Sequence, residues 1–364
     1  MRVNDLSAPP TQETVLDGGA LNIPRATNTS HSVILVGAGR RGLGAHLPAL
    51  DAGRHFRLTG IVDTKERIAQ LREISTLTSP MYDSLDQVLA DQRPDLAIVA
   101  TPHDCHVPLA QQLLCAGVPT LLEKPPARSA SELATLLKLS RELQTPLATS
   151  LPLHYQRGYQ RFRRLLASPA FTDAEVSIRA TVTSWQGTDS WRRSRDRAGG
   201  GVLIDLGYHY LELIVACLGS PDEKSVQLTR APGTGCEVED EARLSLRFAE
   251  RRLLVQLWLQ SHPQAAKGTE LFIRRDGAVV YHGTPGAAPH RGRDHGQAQP
   301  TPAAAQLEAL VASGFLDGRG DWHHDLDRQR AVMLLIDDLY ACAEYEACLP
   351  GTAGQVRASE RTPA

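Results

Sequence analysis

The chain has 364 residues, of which 42 % are hydrophobic and 22 % charged, and its formal net charge is −2. That length suffices for two domains with large cores, and the near-neutral balance argues against a nucleic-acid or membrane-surface partner. No apolar run approaches the length of a membrane span. The six cysteines (Cys105, Cys115, Cys217, Cys236, Cys342, Cys348) show neither C-x-x-C nor metal-like Cys/His spacing, so no metal is expected and reduced cytoplasmic thiols are the simplest account.

Residues 1–30 mix Pro, Thr, Asn, Asp and Gly without periodicity, and no apolar stretch follows Arg2, so they read as a flexible extension rather than a secretory signal; 350–364 has the same character. From His31 to Pro152 short apolar runs alternate with amphipathic segments. Strands are predicted at 33–36, 57–62, 97–100, 119–122 and 146–150. Helices are predicted at Ala45–Ala52, Lys65–Ser75, Ser84–Asp91, His106–Ala116 and Ser129–Gln144, the last opening on a Ser129/Glu132 capping box. Such alternation predicts a doubly wound parallel sheet, a Rossmann domain over 31–152.

The first strand breaks into Gly37-Ala38-Gly39-Arg40-Arg41-Gly42, a G-x-G-x-x-G turn. Gly37 permits the tight turn, Gly39 lets backbone approach a pyrophosphate, and Gly42 lets the following helix pack on the strand. Asp63 ends the second strand, 21 residues after Gly42, where a carboxylate accepts hydrogen bonds from a ribose and repels a 2′-phosphate. NAD is therefore favoured, with Arg40, Lys65 and Arg67 pulling toward NADP. A helix N-cap is the alternative reading of Asp63.

Two further strand ends carry polar clusters: Thr101-Pro102-His103-Asp104-Cys105-His106 and Glu123-Lys124-Pro125-Pro126. A lysine at a strand end beside a nicotinamide pocket binds a substrate oxygen and stabilises its change of charge. The plain alternative is a surface Glu/Lys pair before a turn.

Over 153–349 the period changes. Ala174–Trp185, 242–248 and 252–260 alternate apolar and polar residues, and Gly268–Tyr281 with Asp276-Gly277 at its centre reads as a hairpin. The prediction is an α/β domain on a large, mainly antiparallel sheet, one face of which is a candidate interface for a homo-oligomer, dimer or tetramer. After Gly199-Gly200-Gly201 the sequence is helical, with Asp205 and His209 at i and i+4 and Glu212 continuing their stripe. A carboxylate one turn from a histidine suits proton transfer; a solvated helix face is the alternative. Tyr155, Arg157, Trp191 and Arg192 are candidates for holding substrate, with a core or interface aromatic the alternative for Trp191 and solvated surface charges for the arginines, and Gly283–Pro302 reads either as a loop over or beside a cleft or as a surface insertion far from it.

Taken in order, V-G-A-G-R-R-G (36–42), Asp63, T-P-H-D-C-H (101–106), E-K-P (123–125), W-R (191–192) and G-G-G-V-L-I-D-L-G-Y-H (199–209) make the chain resemble the Gfo/Idh/MocA oxidoreductases from about residue 32 to 345. That resemblance implies an active site between the two domains, with Lys124, Asp205 and His209 as the catalytic group. It implies further that Thr101, Pro102, His106 and Glu123 line the nicotinamide half of the cofactor site. His103 stands where Asn is common, and Glu212 where Asp is. The implied reaction is hydride transfer between nicotinamide and a secondary alcohol or ketone carbon of a sugar, cyclitol or related polyhydroxylated molecule. His209 would carry the proton, Asp205 would orient its ring, and Lys124 would hold the reacting oxygen. Imine reduction, NAD-dependent glycoside cleavage and ligand sensing occur on the same scaffold; retention of Lys124, Asp205 and His209 argues against sensing.

Overall fold

The structure is a computed structural model and describes residues 30–74, 77–183, 190–231, 235–262, 267–284 and 300–347. The first sheet contains β1 (His31–Val36), β2 (Phe56–Val62), β3 (Met81–Tyr82), β4 (Leu96–Val99), β5 (Thr120–Glu123) and β6 (Leu147–Ser150). All are parallel, in the order β3-β2-β1-β4-β5-β6. Val33–Val36 and Leu96–Val99 are buried because helices cover both faces, which is why these strands read as continuous apolar runs. The strand order reverses between β1 and β4, so the crevice outside their carboxyl ends is the ligand position of such a sheet.

The helices of this half are α1 (Leu47–Ala52), α2 (Lys65–Ile74), α3 (Leu85–Asp91), α4 (His103–Cys115) and α5 (Ala130–Leu143). Ser129 caps α5 through its hydroxyl, which accepts from the Glu132 backbone N–H, as the capping box requires. Two starts differ from the sequence prediction. A π-helical turn over Gly42–His46 leads into α1, and α4 begins at His103 rather than His106, immediately after Pro102.

A short 3₁₀ turn (Pro152–Tyr155) and α6 (Arg157–Ala167) lead into the second sheet. Its strands are β7 (Ala174–Thr183), β8 (Glu223–Arg230), β9 (Glu241–Phe248), β10 (Leu253–His262), β11 (Gly268–Arg275), β12 (Ala278–Gly283) and β13 (Glu344–Ala347), ordered β12-β11-β7-β10-β9-β8-β13. β7 pairs with β10 and β8 with β13 in parallel; the other neighbours are antiparallel. Val176, Ile178, Ala180, Leu244, Leu246, Val255, Leu257 and Leu259 bury one face. On the other, Trp258 lies between the guanidinium groups of Arg179 and Arg243, 5.5 and 5.1 Å from its ring centroid.

Between β7 and β8 run α7 (Arg195–Ala198), α8 (Val202–Asp205) and α9 (Gly207–Leu218). The single helix expected over 202–217 is thus two, with the chain bending by 56° between Asp205 and Gly207. The bend follows from packing: a Cβ on Gly207 would meet Leu259 Cδ1 at 2.8 Å, so α9 starts hard against β10. The last helices, α10 (Pro302–Ala312) and α11 (Trp322–Ala341), return to the first half, where Gln306 accepts from the Leu151 N–H and donates to Thr149 O. No single helix among the described residues is long and apolar enough to cross a membrane. Trp185, Cys348 and most of the Gly283–Pro302 segment lie outside the described residues.

Candidate functional site

The glycine-rich turn uses its glycines for different reasons. Gly37 has φ +102°, and a Cβ there would meet Ala100 O at 2.6 Å; one on Gly42 would meet Gly37 O at 2.0 Å. Those two make the turn and the close packing possible. Gly39 has nothing within 4 Å of its Cβ position and is exposed, which leaves its backbone approachable. Asp63 sits at the end of β2 beside this turn: Oδ2 accepts from the Ala38 N–H at 2.6 Å and Oδ1 from the Thr64 N–H at 2.7 Å. Arg67 donates twice to Ala38 O, at 3.2 and 3.1 Å, whereas Arg40 and Lys65 are exposed. An acceptor carboxylate next to an open backbone cradle fits a dinucleotide bound through ribose and pyrophosphate.

At the end of β5, Glu123 faces inward. Its Oε1 accepts from Arg41 Nε at 2.9 Å, Ser150 Oγ at 2.9 Å and His46 Nε2 at 2.7 Å. Burial pushes the Glu123 carboxyl up, but the His46 hydrogen bond and the Arg41 and Lys124 charges outweigh it and hold it well below the usual range. Lys124 follows, joined to Pro125 by a cis peptide bond. Its Nζ donates to Asp205 Oδ1 at 2.6 Å and to the Asp205 carbonyl oxygen. Arg192 Nε reaches Asp205 Oδ2 at 3.3 Å. Burial raises the Asp205 pKa and the two cations lower it further than that, so it is ionised.

Trp191 joins this group: its ring centroid is 4.5 Å from that of His103, edge to face, with the Arg192 guanidinium 4.3 Å from the indole centroid. Burial drives the His103 pKa down to about 3, so its ring is neutral. His106 is 0 % exposed and spans Pro125 O at 2.8 Å and Thr101 O at 3.0 Å. It therefore braces the two strand-end loops from within, with both ring nitrogens turned to backbone carbonyls.

His209 lies in the first turn of α9, with Tyr159 Oη donating to its backbone carbonyl at 3.0 Å. Its Nδ1 is buried and has no hydrogen-bond partner among the described residues. Burial, then Lys124 and Arg41, push its pKa well below the ordinary histidine value, so the ring is neutral. The expectation that Asp205 orients this ring is corrected here. The break at Leu206 turns the Asp205 carboxylate onto Lys124 and Arg192, and the stripe of a continuous helix is lost.

Glu212 separates from the group as well: it is 0 % exposed and pairs with His154 and, at 2.7 Å, with Arg328 Nε. Tyr155 is half-buried near Asp325, where burial raises its phenol to about 12, and Arg157 is exposed at the start of α6. Among the described residues neither is hydrogen-bonded to Lys124, Asp205 or His209. The structure thus gathers Lys124, Asp205, Arg192, Trp191, Glu123 and His209, and sets Tyr155 and Arg157 apart. Sequence reasoning missed His46 and Ser150; a histidine in an apolar helix five residues after Arg41 was the available signal for the first.

Two family models match in tandem: an oxidoreductase family with an NAD-binding Rossmann fold over residues 31–150, and the GFO/IDH/MocA C-terminal domain over 159–286. A protein of Amycolatopsis mediterranei, provisionally named as a UDP-kanosamine synthase oxidoreductase subunit, is 29 % identical over 191 residues, covering 51 % of each chain. The D-glucoside 3-dehydrogenase of Escherichia coli is 25 % identical over 202 residues, 55 % of this chain and 57 % of that enzyme. The chain thus spans about half the length of these curated relatives. The crystal structure of GenD2 from gentamicin A biosynthesis, in complex with NAD, superposes with a TM-score of 0.72 at 25 % identity, covering 88 % of this chain and 96 % of that one. With both halves matched in their order along the chain, and with the fold they describe present, this protein belongs to the Gfo/Idh/MocA oxidoreductase family.

Proposed function

We propose that the protein transfers a hydride between a nicotinamide dinucleotide and a secondary alcohol or ketone carbon of a sugar or sugar-like ring. The observation that carries this reading is the Lys124–Asp205 pair at the end of β5, within electrostatic reach of a neutral histidine, His209, whose Nδ1 is unengaged. When bound, the nicotinamide supplies the hydride acceptor or donor. The exposed Gly39 backbone and Asp63 would hold the pyrophosphate and ribose. Oriented by two contacts to Asp205, the Lys124 ammonium has one N–H left for the substrate oxygen, which it stabilises as negative charge builds there. His209 takes the hydroxyl proton in oxidation and returns it in reduction; being neutral, it is ready as a base at neutral pH. Trp191 and Arg192 offer a ring face and a guanidinium to a polyhydroxylated ring.

The Asp63 carboxylate is fixed by two backbone N–H groups, and Arg67 is engaged with Ala38 O, so NAD is preferred over NADP. Likeness to a D-glucoside 3-dehydrogenase makes a hexoside hydroxyl the first substrate to try. We assign self-association to the open face of the second sheet around Trp258. The test is nicotinamide absorbance with NAD and with NADP against hexosides, cyclitols and nucleotide sugars. Substrate-dependent reduction of NAD supports the reading, and failure to bind either cofactor by fluorescence titration sinks it.

A further inference from the structure

His46 has no part in the chemistry above, yet it is 2 % exposed and spends its Nε2 on a single oxygen, Oε1 of Glu123. Its Nδ1 meets no partner among the described residues, and a carboxylate oxygen only accepts, so Nε2 is the nitrogen that donates. Arg41 donates to that same oxygen from the same helical segment. On a regular α-helix residues five apart point ~140° away from each other, because each step turns the chain by ~100°. The two converge here because the chain between them runs as a π-turn, Gly42–His46, in which the Leu47 N–H returns to Gly42 O. The wider turn brings the fifth residue back to the face of the first. π-turns are rare and concentrate at functional sites.

Glu123 connects that helix to chemistry. Ser150 Oγ at the end of β6 is the third donor to its Oε1, and the backbone N–H of Lys124 lies 3.3 Å from its Oε2. One carboxylate therefore joins the helix after the glycine-rich turn, two strand ends and the residue that carries the catalytic ammonium. We propose that His46 and Arg41 are positioning residues. Through Glu123 they transmit occupancy of the glycine-rich turn to the Glu123–Pro125 backbone, and so tighten the placement of Lys124 when a dinucleotide binds. This rests on the dinucleotide reading of the turn, but not on the identity of the substrate.

ADP-ribose is the probe, because it fills the ribose and pyrophosphate positions and carries no nicotinamide to touch Lys124 directly. Amide hydrogen exchange is followed by mass spectrometry on the full chain, with and without saturating ADP-ribose. In the unaltered protein, exchange slows in peptides covering 38–47 and also in 123–129. In His46→Leu only 38–47 slows. Arg41→Met, at a side chain 42 % exposed and so tolerant of change, gives an intermediate loss of coupling and guards against a misfolded His46 variant. With an active substrate, His46→Leu lowers kcat roughly 10–100-fold while the ADP-ribose Kd stays within threefold.

Slowing confined to 38–47 in the unaltered protein would overturn the coupling and leave the dinucleotide reading intact. So would slowing at 123–129 that survives in both variants. No slowing anywhere in the unaltered protein would overturn the dinucleotide reading itself, and this inference with it.

Discussion

Asp205 and Glu212 are seven residues apart, both ionised and each held by two basic side chains, and they do different work. Asp205 pairs with side chains that still reach the cleft: Lys124 is 13 % and Arg192 29 % exposed. The Glu212 carboxylate is completely enclosed and ties α9 to His154 of the 3₁₀ turn and to Arg328 of α11, which is itself held by Asp325 at 2.6 Å. The first pair points donor capacity outward; the second closes on itself. Another carboxyl, Glu239, is buried, makes no ion pair among the described residues and accepts instead from the Gly201 and Leu203 N–H groups and Tyr340 Oη, and burial raises its pKa. What sets these groups apart is what their partners leave free.

Breaking the outward-pointing pair has the largest expected effect. Lys124→Ala and His209→Ala each lower kcat by roughly 10²–10⁴, with the NADH Kd from fluorescence titration changed by less than about threefold. Loss of NADH binding in both would remove their catalytic assignment. Asp205→Asn keeps the shape but leaves Lys124 and Arg192 without an anion, and steady-state kinetics should show kcat reduced about 10²-fold. An unchanged kcat would mean that Lys124 needs no orienting partner.

The closed cluster responds in stability rather than rate. Glu212→Gln should keep kcat within about threefold and lower the unfolding free energy by about 3 kcal/mol, read by denaturant titration. Glu212 titrates lower folded than unfolded, because His154 and Arg328 outweigh its burial, so its contribution is present above the unfolded carboxylate value and is lost as pH falls through the folded one. The variant should accordingly lose less stability than the parent on acidification. The smallest effect is on the pH profile of oxidation. Since the His209 pKa lies well below 6.5, kcat/KM should show no acid limb near pH 6.5. A limb at 6.5 would place that ring in water rather than in the site.

The first half was largely legible because helix-covered parallel strands such as β1 and β4 must be apolar throughout, and the turn after β1 needs glycines that leave a spacing. Lys124 could be found for the same reason, being a polar residue forced to the end of an apolar strand. What eluded the sequence was local geometry that periodicity does not encode. Asp205 and His209 keep their i, i+4 spacing, but the contact of Gly207 with Leu259 divides the helix, and the Asp205 carboxylate goes to Lys124 and Arg192. The π-turn hides likewise, since nothing in Gly-Leu-Gly-Ala-His announces an extra residue in the turn. β8 escaped because its outer residues are exposed, leaving only Val226 and Leu228 buried. α10 and α11 were unread since buried Gln306 and Gln329 interrupt their apolar faces.

Those last two helices bear on how the chain can be divided. Gln306 completes the backbone hydrogen bonds at the end of β6, and Asp337 of α11 accepts the N–H of Ala130 at the start of α5 at 2.8 Å. The dinucleotide-binding half is therefore finished by residues synthesised more than 150 positions after its last strand. A fragment ending near residue 152 would emerge with its final strand uncapped and an apolar flank bare, and would recover its shape only when supplied in trans with 300–347.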